Sequence, residues 1–563
     1  MKSARTLILL LTLLCAAQQA RLIAQAPLAA QDAVEFVAVA QRIQAEGLAP
    51  TIRSEPVAPL FPYSVYLTHT ALTSLRLLDA AAWGRAAQIA AAVSAILAVV
   101  PIFLFARRLA GRDAALVAGI LYCLLPATSR LGADGTSDAL HLCLAAFALW
   151  SFCEACQVFE RLETKLRRAL AWSFTAGTFA GAALLCRAEI LMFLPAVALI
   201  GLFGLSRPRR PRPLLSSYVL ASCFALGFSA SIVPYVAAGV FAPAEIAERL
   251  QGGGSASTDR PLNAPLAAWE SEQNVDVRPP GELLVRDGAI LEFGRKDRTR
   301  SLRTLEVGAA SRLYLHEFLQ ACGYVVSPLA LVGLWALGTR LGSRPWMFLW
   351  FFVTFYLVMS CAWVLMVGYV TSRHFLLPVV AMLPAAGLGL MSVAERLRVR
   401  FAANRSTTRA VHALTGALAI GCLAATLQPP HHTHAAHRRA ADWLRSPAAA
   451  DGFVLDQQGW TALSTGRPTY RFDEAETALT DPRLRYVLVE RIDLEAPSRR
   501  GKSLRAVLGS ADRATECFAD VRGRSRHDVL LFARTPNDAF ALRNPSPPQD
   551  SPLVARRKSS DAR

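Results

Sequence analysis

Asp32 and Glu35 stand three residues apart in Gln31-Asp32-Ala33-Val34-Glu35-Phe36-Val37-Ala38, directly after the first apolar run, and on a helix their carboxyls share one face. Carboxylates so placed can accept a proton from a nucleophile or hold a cation. Three later groupings carry complementary chemistry. Asp134 and Asp138 flank the turn Gly135-Thr136-Ser137, Arg187 and Glu189 lie in Cys186-Arg187-Ala188-Glu189, and Tyr369, Arg373 and His374 lie in Tyr369-Val370-Thr371-Ser372-Arg373-His374. An arginine can hold two oxygens of one oxyanion, and hard carboxylate oxygens suit Mg2+ or Mn2+. Simpler accounts compete at two places. An ion pair at a helix turn explains Arg187 with Glu189 as well as catalysis does, and Asp134 beside Gly135 has the pattern of a turn cap. The Cys153-Glu154-Ala155-Cys156 spacing lies in an apolar run and reads as packing. His431, His432, His434 and His437 lack a Cys or carboxylate to complete an ordered zinc set and read as a solvated run.

What must position these groups is a series of apolar segments. The 563-residue chain is 53% hydrophobic and only 18% charged, against ~25% in ordinary soluble domains. Runs of about 20 apolar residues, each enough to cross ~30 Å of hydrocarbon, fall at 4–25, 86–105, 113–130, 138–157, 170–186, 188–205, 215–239, 322–339, 346–366, 374–392 and 409–427. They predict a polytopic α-helical membrane protein of about eleven transmembrane helices. The first run lacks a clean cleavage site and reads as a retained helix, not a signal peptide. Val34, Val37 and Ala38 form a second face on the Asp32 segment, which would let it lie along a membrane surface.

Charge sets the orientation. The net charge of +18 fits a nucleic-acid binder by sign alone, but the basic residues gather in alternate short loops, such as Arg107, Arg108 and Arg112, or Arg207, Arg209, Arg210 and Arg212. By the positive-inside rule that series is cytoplasmic, the N-terminus with it, and no nucleic-acid partner is expected. The opposite face then collects Asp32, Glu35, Asp134, Asp138, Arg187, Glu189, Tyr369, Arg373 and His374, with outer loops over 26–85 and 240–321. Ionisable groups at the rim of a membrane are expensive, and several on one face mark a site. Past the last span the composition becomes soluble. Short buried strands at 452–456, 485–490 and 528–533, with helical patterns between, predict a small extracytoplasmic α/β domain over 431–542. Residues 543–563 are polar, rich in Pro and Ser, and are expected to be disordered.

Four segments together resemble the GT-C superfamily of polyprenyl-phosphate-sugar glycosyltransferases, and in pattern the protein O-mannosyltransferases and lipid A aminoarabinose transferases. They are Asp32 to Ala40 with the later Ala58-Pro59-Leu60-Phe61-Pro62; Ser137-Asp138-Ala139-Leu140-His141 after Pro126; Ala176-Gly177-Thr178-Phe179-Ala180-Gly181 leading to Arg187; and Tyr369 to His374 leading to Leu377-Pro378. One departure is that Ala58 stands where many relatives have a His, so any role of that His is absent or moved. The resemblance implies a GT-C-like transmembrane domain over residues 1–428. It also implies inverting transfer of a sugar from a polyprenyl-phosphate donor to a hydroxyl of a protein, lipid or glycan, on the outer face of the inner (plasma) membrane.

By that resemblance Asp32 is the general base, with Glu35 and Asp138 as further catalytic carboxylates. Arg373, Arg187 and Tyr369 meet the donor phosphate, and Asp134 and Glu189 serve the acceptor or a metal. Participation of Mg2+ or Mn2+ is left open. Two other classes remain. A transporter or lipid-linked-sugar flippase would carry its charges near the bilayer midplane, on broken helices. A membrane anchor presenting the C-terminal domain would not need Asp32 near Arg373.

Overall fold

In the computed structural model the described residues are 3–534 except 27, 55–57, 80–81, 162–165, 204–212, 238–306, 339–342, 368–369, 401–406, 428–433, 457–458, 497–498 and 520–527. Tyr369, His431, His432, most of the expected outer loop over 240–321 and the tail over 543–563 lie outside them. The described residues fall into two compact units, 3–438 and 439–534.

The first unit is helical. An apolar segment in lipid has no water for its N–H and C=O groups and must close its own hydrogen bonds. In chain order the helices are α1 (Ala4–Gln25), α2 (Asp32–Glu46), α3 (Leu48–Ser54), α4 (Leu60–Ser74), α5 (Trp83–Ala110), α6 (Arg112–Leu124), α7 (Pro126–Ser129), α8 (Leu131–Asp134), α9 (Asp138–Arg161), α10 (Leu166–Leu184), α11 (Phe193–Phe203), α12 (Pro213–Ala237), α13 (Val307–Ala321), α14 (Val326–Leu337), α15 (Arg344–Val367), α16 (Leu376–Arg400) and α17 (Thr407–Ala425). Six of the described helices are long and apolar enough to cross a membrane, and α13 with α14, bent by 83° at the turn between them, would make a seventh. This is a multi-pass membrane protein with a mostly helical fold. The expected count of about eleven spans is not confirmed by length and composition among the described residues, although every expected run is largely helical. Pro126 ends α6 early, because its ring cannot continue the helix and restricts Leu125 to extended backbone. The later runs over 188–205 and 409–427 form only shorter apolar helices.

Small residues let the helices approach. A Cβ at Gly177 would run into the Phe224 carbonyl of α12, and one at Gly333 of α14 into the Ala385 carbonyl of α16. The Ala176–Gly181 segment therefore owes its glycines to backbone contact between helices, the usual device where packing has no water to expel. Phe152, Phe193, Phe224, Phe348 and Phe352 fill the space between α9, α11, α12 and α15, with ring centroids 4.5–6.4 Å apart. Cys153 and Cys156 are both fully buried inside α9, among packing residues. The apolar face of α2, with Val34, Val37 and Ala38, is buried against α4 and α5. The expected membrane-surface helix is thus clamped to protein instead, with Phe36 set edge-on to Phe61 at 5.2 Å.

The second unit carries a five-stranded sheet of order β2-β1-β3-β5-β4, with β1 (Phe453–Asp456), β2 (Thr469–Tyr470), β3 (Leu484–Glu490), β4 (Glu516–Phe518) and β5 (Val529–Ala533). β2, β1 and β3 are parallel; β3, β5 and β4 are antiparallel. The apolar run Tyr486-Val487-Leu488-Val489 is fully interior, as a central strand covered on both faces requires. Its three longer strands coincide with the expected ones. β2 and β4 are too short to leave a sequence pattern. The expected solvated His run differs in one member, since His437 is buried.

Candidate active site

Four separate segments bring charge to one end of the helical unit. Asp32 opens α2, where a carboxylate complements the partial positive charge of the helix N-terminus. The chain just before it is fastened by the Ala30 N–H donating to the Asp134 carbonyl at 2.9 Å. Asp138 opens α9 after Gly135, whose φ of 64° makes the left-handed turn that ends α8. Gln19 of α1 steadies the same corner by accepting the Gly132 N–H at 2.9 Å. Arg187 follows the end of α10, and its N–H donates to the Ala183 carbonyl at 3.0 Å. The Leu60 N–H donates to the Leu185 carbonyl at 3.1 Å, so the Pro-rich step at the start of α4 is tied beside Arg187. Arg373 sits in a single 3-10 turn, Ser372–Phe375, closed by a reciprocal cap between Thr371 and His374.

The side chains alternate in sign: Asp32, Arg373, Asp138, Arg187, Glu189. Arg373 Nη1 lies 2.8 Å from Asp32 Oδ2 and 3.8 Å from Asp138 Oδ2. Arg187 Nη1 donates to Asp138 Oδ1, while its Nε and Nη2 donate to Glu189 Oε1 at 2.9 and 2.6 Å. The Thr136 hydroxyl donates to Asp138 Oδ2 at 2.9 Å. Burial works against the charge on Arg187, but Asp138 and Glu189 outweigh it and raise its pKa above the ordinary arginine value. Exposure separates the carboxylates: the Asp32 side chain is 51% exposed, that of Asp138 only 4%. Asp32 can meet a group arriving from water, whereas Asp138 is the buried hub of both arginines. A cleft with room for little more than one water-sized group lies among Asp138, His141, Arg187, Glu189, Tyr356 and Arg373.

Residues 66–235, under a third of the chain, match the family described as dolichyl-phosphate-mannose-protein mannosyltransferase. The oligosaccharyltransferase of Archaeoglobus fulgidus superposes in its apo form with TM-score 0.50, at 14% identity, over 89% of this chain and 71% of that one. In complex with Zn and sulfate it superposes with TM-score 0.51, at 13% identity, over 87% and 68%. The helical unit shares the GT-C fold of that oligosaccharyltransferase. ArnT from Cupriavidus metallidurans, apo, aligns over 96% of this chain and 99% of that one at 12% identity, with TM-score 0.49. No curated protein sequence matches significantly.

The structure brings together Asp32, Asp138, Arg187, Glu189 and Arg373. Glu35 is exposed one turn along α2, and the Asp134 carboxylate adds to the negative field at Arg373. Asp138 is a poor ligand for Mg2+ or Mn2+ as folded, because two guanidinium groups and Thr136 occupy its oxygens. Among the described residues no three His, Cys, Asp or Glu are grouped to hold a metal ion.

Sequence reasoning missed the supports of Arg373. Glu317 of α13 accepts the Ser372 N–H at 2.7 Å, and the Tyr356 hydroxyl donates to the His374 carbonyl at 2.7 Å. Phe375 packs edge-on to Tyr314 and Phe318 at 5.1 and 5.6 Å. A lone acid in the amphipathic run Leu315-His316-Glu317-Phe318 was the available signal for Glu317. Tyr356, inside an apolar run, gave none.

Proposed function

We propose that this protein moves a sugar from a polyprenyl-phosphate carrier to an acceptor hydroxyl on the extracytoplasmic face of the plasma membrane, with inversion. The observation that carries this reading is the alternating charge chain at the ends of α2, α9, α10 and α16, with an exposed carboxylate at one end and two arginines behind it. The description of the matched family, which names a dolichyl-phosphate sugar, supports a lipid-phosphate donor. The arginine-rich turn Arg107–Arg112 joins α5 to α6 at the end of α5 remote from Trp83, which supports placing the charge chain outside.

In the transfer Asp32 takes the acceptor proton, and the acceptor oxygen attacks the anomeric carbon from the side opposite the phosphate. The bond from that carbon to the phosphate oxygen breaks, and its electron pair leaves on the phosphate. Arg373 faces the growing charge and can grip two phosphate oxygens. Before the donor arrives Arg373 is held by Asp32. A phosphate competes for the guanidinium and thereby releases the carboxylate for its task. Asp138 keeps Arg187 and Arg373 together, and Glu189 holds Arg187 from the far side. The test is to incubate membranes containing the protein with a panel of labelled polyprenyl-phosphate sugars and follow the label. One sugar should move to protein, lipid or glycan only when the protein is present. Label that crosses the bilayer still attached to its lipid would identify a flippase instead.

A further inference from the structure

His141 lies one turn inside α9 from Asp138, is 95% buried by its 5% exposure, and lines the cleft beside Arg187, Glu189 and Tyr356. Its Nδ1 is 3.2 Å from the Ala183 carbonyl. A carbonyl can only accept, so Nδ1 carries the proton, and in the neutral ring Nε2 is left as an acceptor. Nε2 has no hydrogen-bond partner among the described residues. The same carbonyl takes the Arg187 N–H at 3.0 Å, so the imidazole and the arginine are set by one anchor at the end of α10. A buried acceptor without a partner costs about 1–3 kcal/mol, a cost that a ligand able to donate would remove.

We infer that His141 Nε2 accepts a hydrogen bond from one hydroxyl of the donor sugar, the water-sized group this cleft has room for while the ring stays at its mouth, making it a specificity-determining residue. This rests on the transferase reading above. The donor, not the acceptor, is the partner because His141 sits about 4.5 Å further into the span than Asp138. A sugar tied to a membrane-borne phosphate reaches that depth first, while the acceptor meets the exposed Asp32.

The experiment uses full-length protein in lipid nanodiscs and two variants. His141→Phe keeps the ring volume without an acceptor; His141→Gln keeps an acceptor of similar reach. Two quantities are read: kcat/KM for the sugar donor found in the panel, and inhibition by undecaprenyl phosphate, which has no sugar. His141→Phe should lower kcat/KM about ten- to a hundredfold, His141→Gln should restore part of it, and undecaprenyl phosphate should inhibit all three proteins equally. Wild-type kcat/KM in His141→Phe would overturn the inference. So would an equal loss of lipid-phosphate inhibition, which would make His141 a structural prop for Arg187. A wild-type protein that transfers no sugar from the panel would instead overturn the transferase reading and this inference with it.

Discussion

Arg373 answers to Asp32 and Asp138 at once, 2.8 and 3.8 Å from Nη1, and this double engagement is where residue chemistry is most exposed to test. Arg373→Lys keeps a positive charge but not the two-pronged grip. Donor KM should rise together with a fall in kcat, each about tenfold or more, measured by steady-state transfer assays. Equal kinetics for the two proteins would remove the phosphate role. Arg187→Lys is a different case. Three donor groups of Arg187 reach Asp138 and Glu189, and lysine cannot span both carboxylates in that fork. Leaving Asp138 partly unpaired in a buried place should cost about 3–5 kcal/mol of stability. The check is thermal unfolding of the purified protein, and an unchanged midpoint would contradict the buried-hub account.

Elements, and not single residues, hold the chain of charges in register. Gly333 and Gly389 let α14 and α16 touch backbone to backbone, and α16 continues directly from the turn that bears Arg373. Gly333→Val should destabilise by about 1–3 kcal/mol through overpacking, whereas Gly416→Ala, where nothing lies within 4 Å, should be neutral or slightly stabilising. Thermal unfolding of both variants in one detergent decides this. In the sheet unit, burial pushes the Asp481 carboxyl up, but hydrogen bonds from Arg483 and Tyr470 win and hold it below the usual carboxylate range. A lowered folded pKa gives stability that is full above the unfolded value of ~3.9 and fades as pH falls through the folded value. Amide protection over 484–490 in the full-length protein, measured relative to the intrinsic exchange rate at each pH, should therefore fall below about pH 4 in the wild type. Asp481→Asn should remove that pH response.

At this scale the limits of the sequence are physical. Ionisable residues stand out in an apolar chain because each is costly there, which is why Asp32, Asp138, Arg187, Glu189 and Arg373 could be picked out by type. Hydropathy does not see where a helix breaks, so the run over 113–130 read as one span although Pro126 divides it. Nor does it see hydrogen bonds between distant elements. The Glu317 contact to Ser372 joins residues 55 apart, and His141 became informative only once Ala183 was found against its ring.

For the whole molecule the account makes a topological claim and a chemical one. The proposed topology, drawn from the arginine-rich loops, puts residue 210 on the cytoplasmic side and residues 260 and 470 outside. Cysteine labelling in intact cells should show that pattern, and finding 210 and 470 on one side would contradict it. The central claim is that the convergent charges serve one proton transfer, with Asp32 as the base. The measurement is turnover of the identified lipid-linked sugar by Asp32→Asn in full-length protein, with inhibition by undecaprenyl phosphate read alongside. A positioned base contributes about 10²–10⁴-fold, so turnover should fall by that factor while lipid-phosphate inhibition persists. A folded Asp32→Asn protein that transfers sugar at the wild-type rate would contradict the account at its centre.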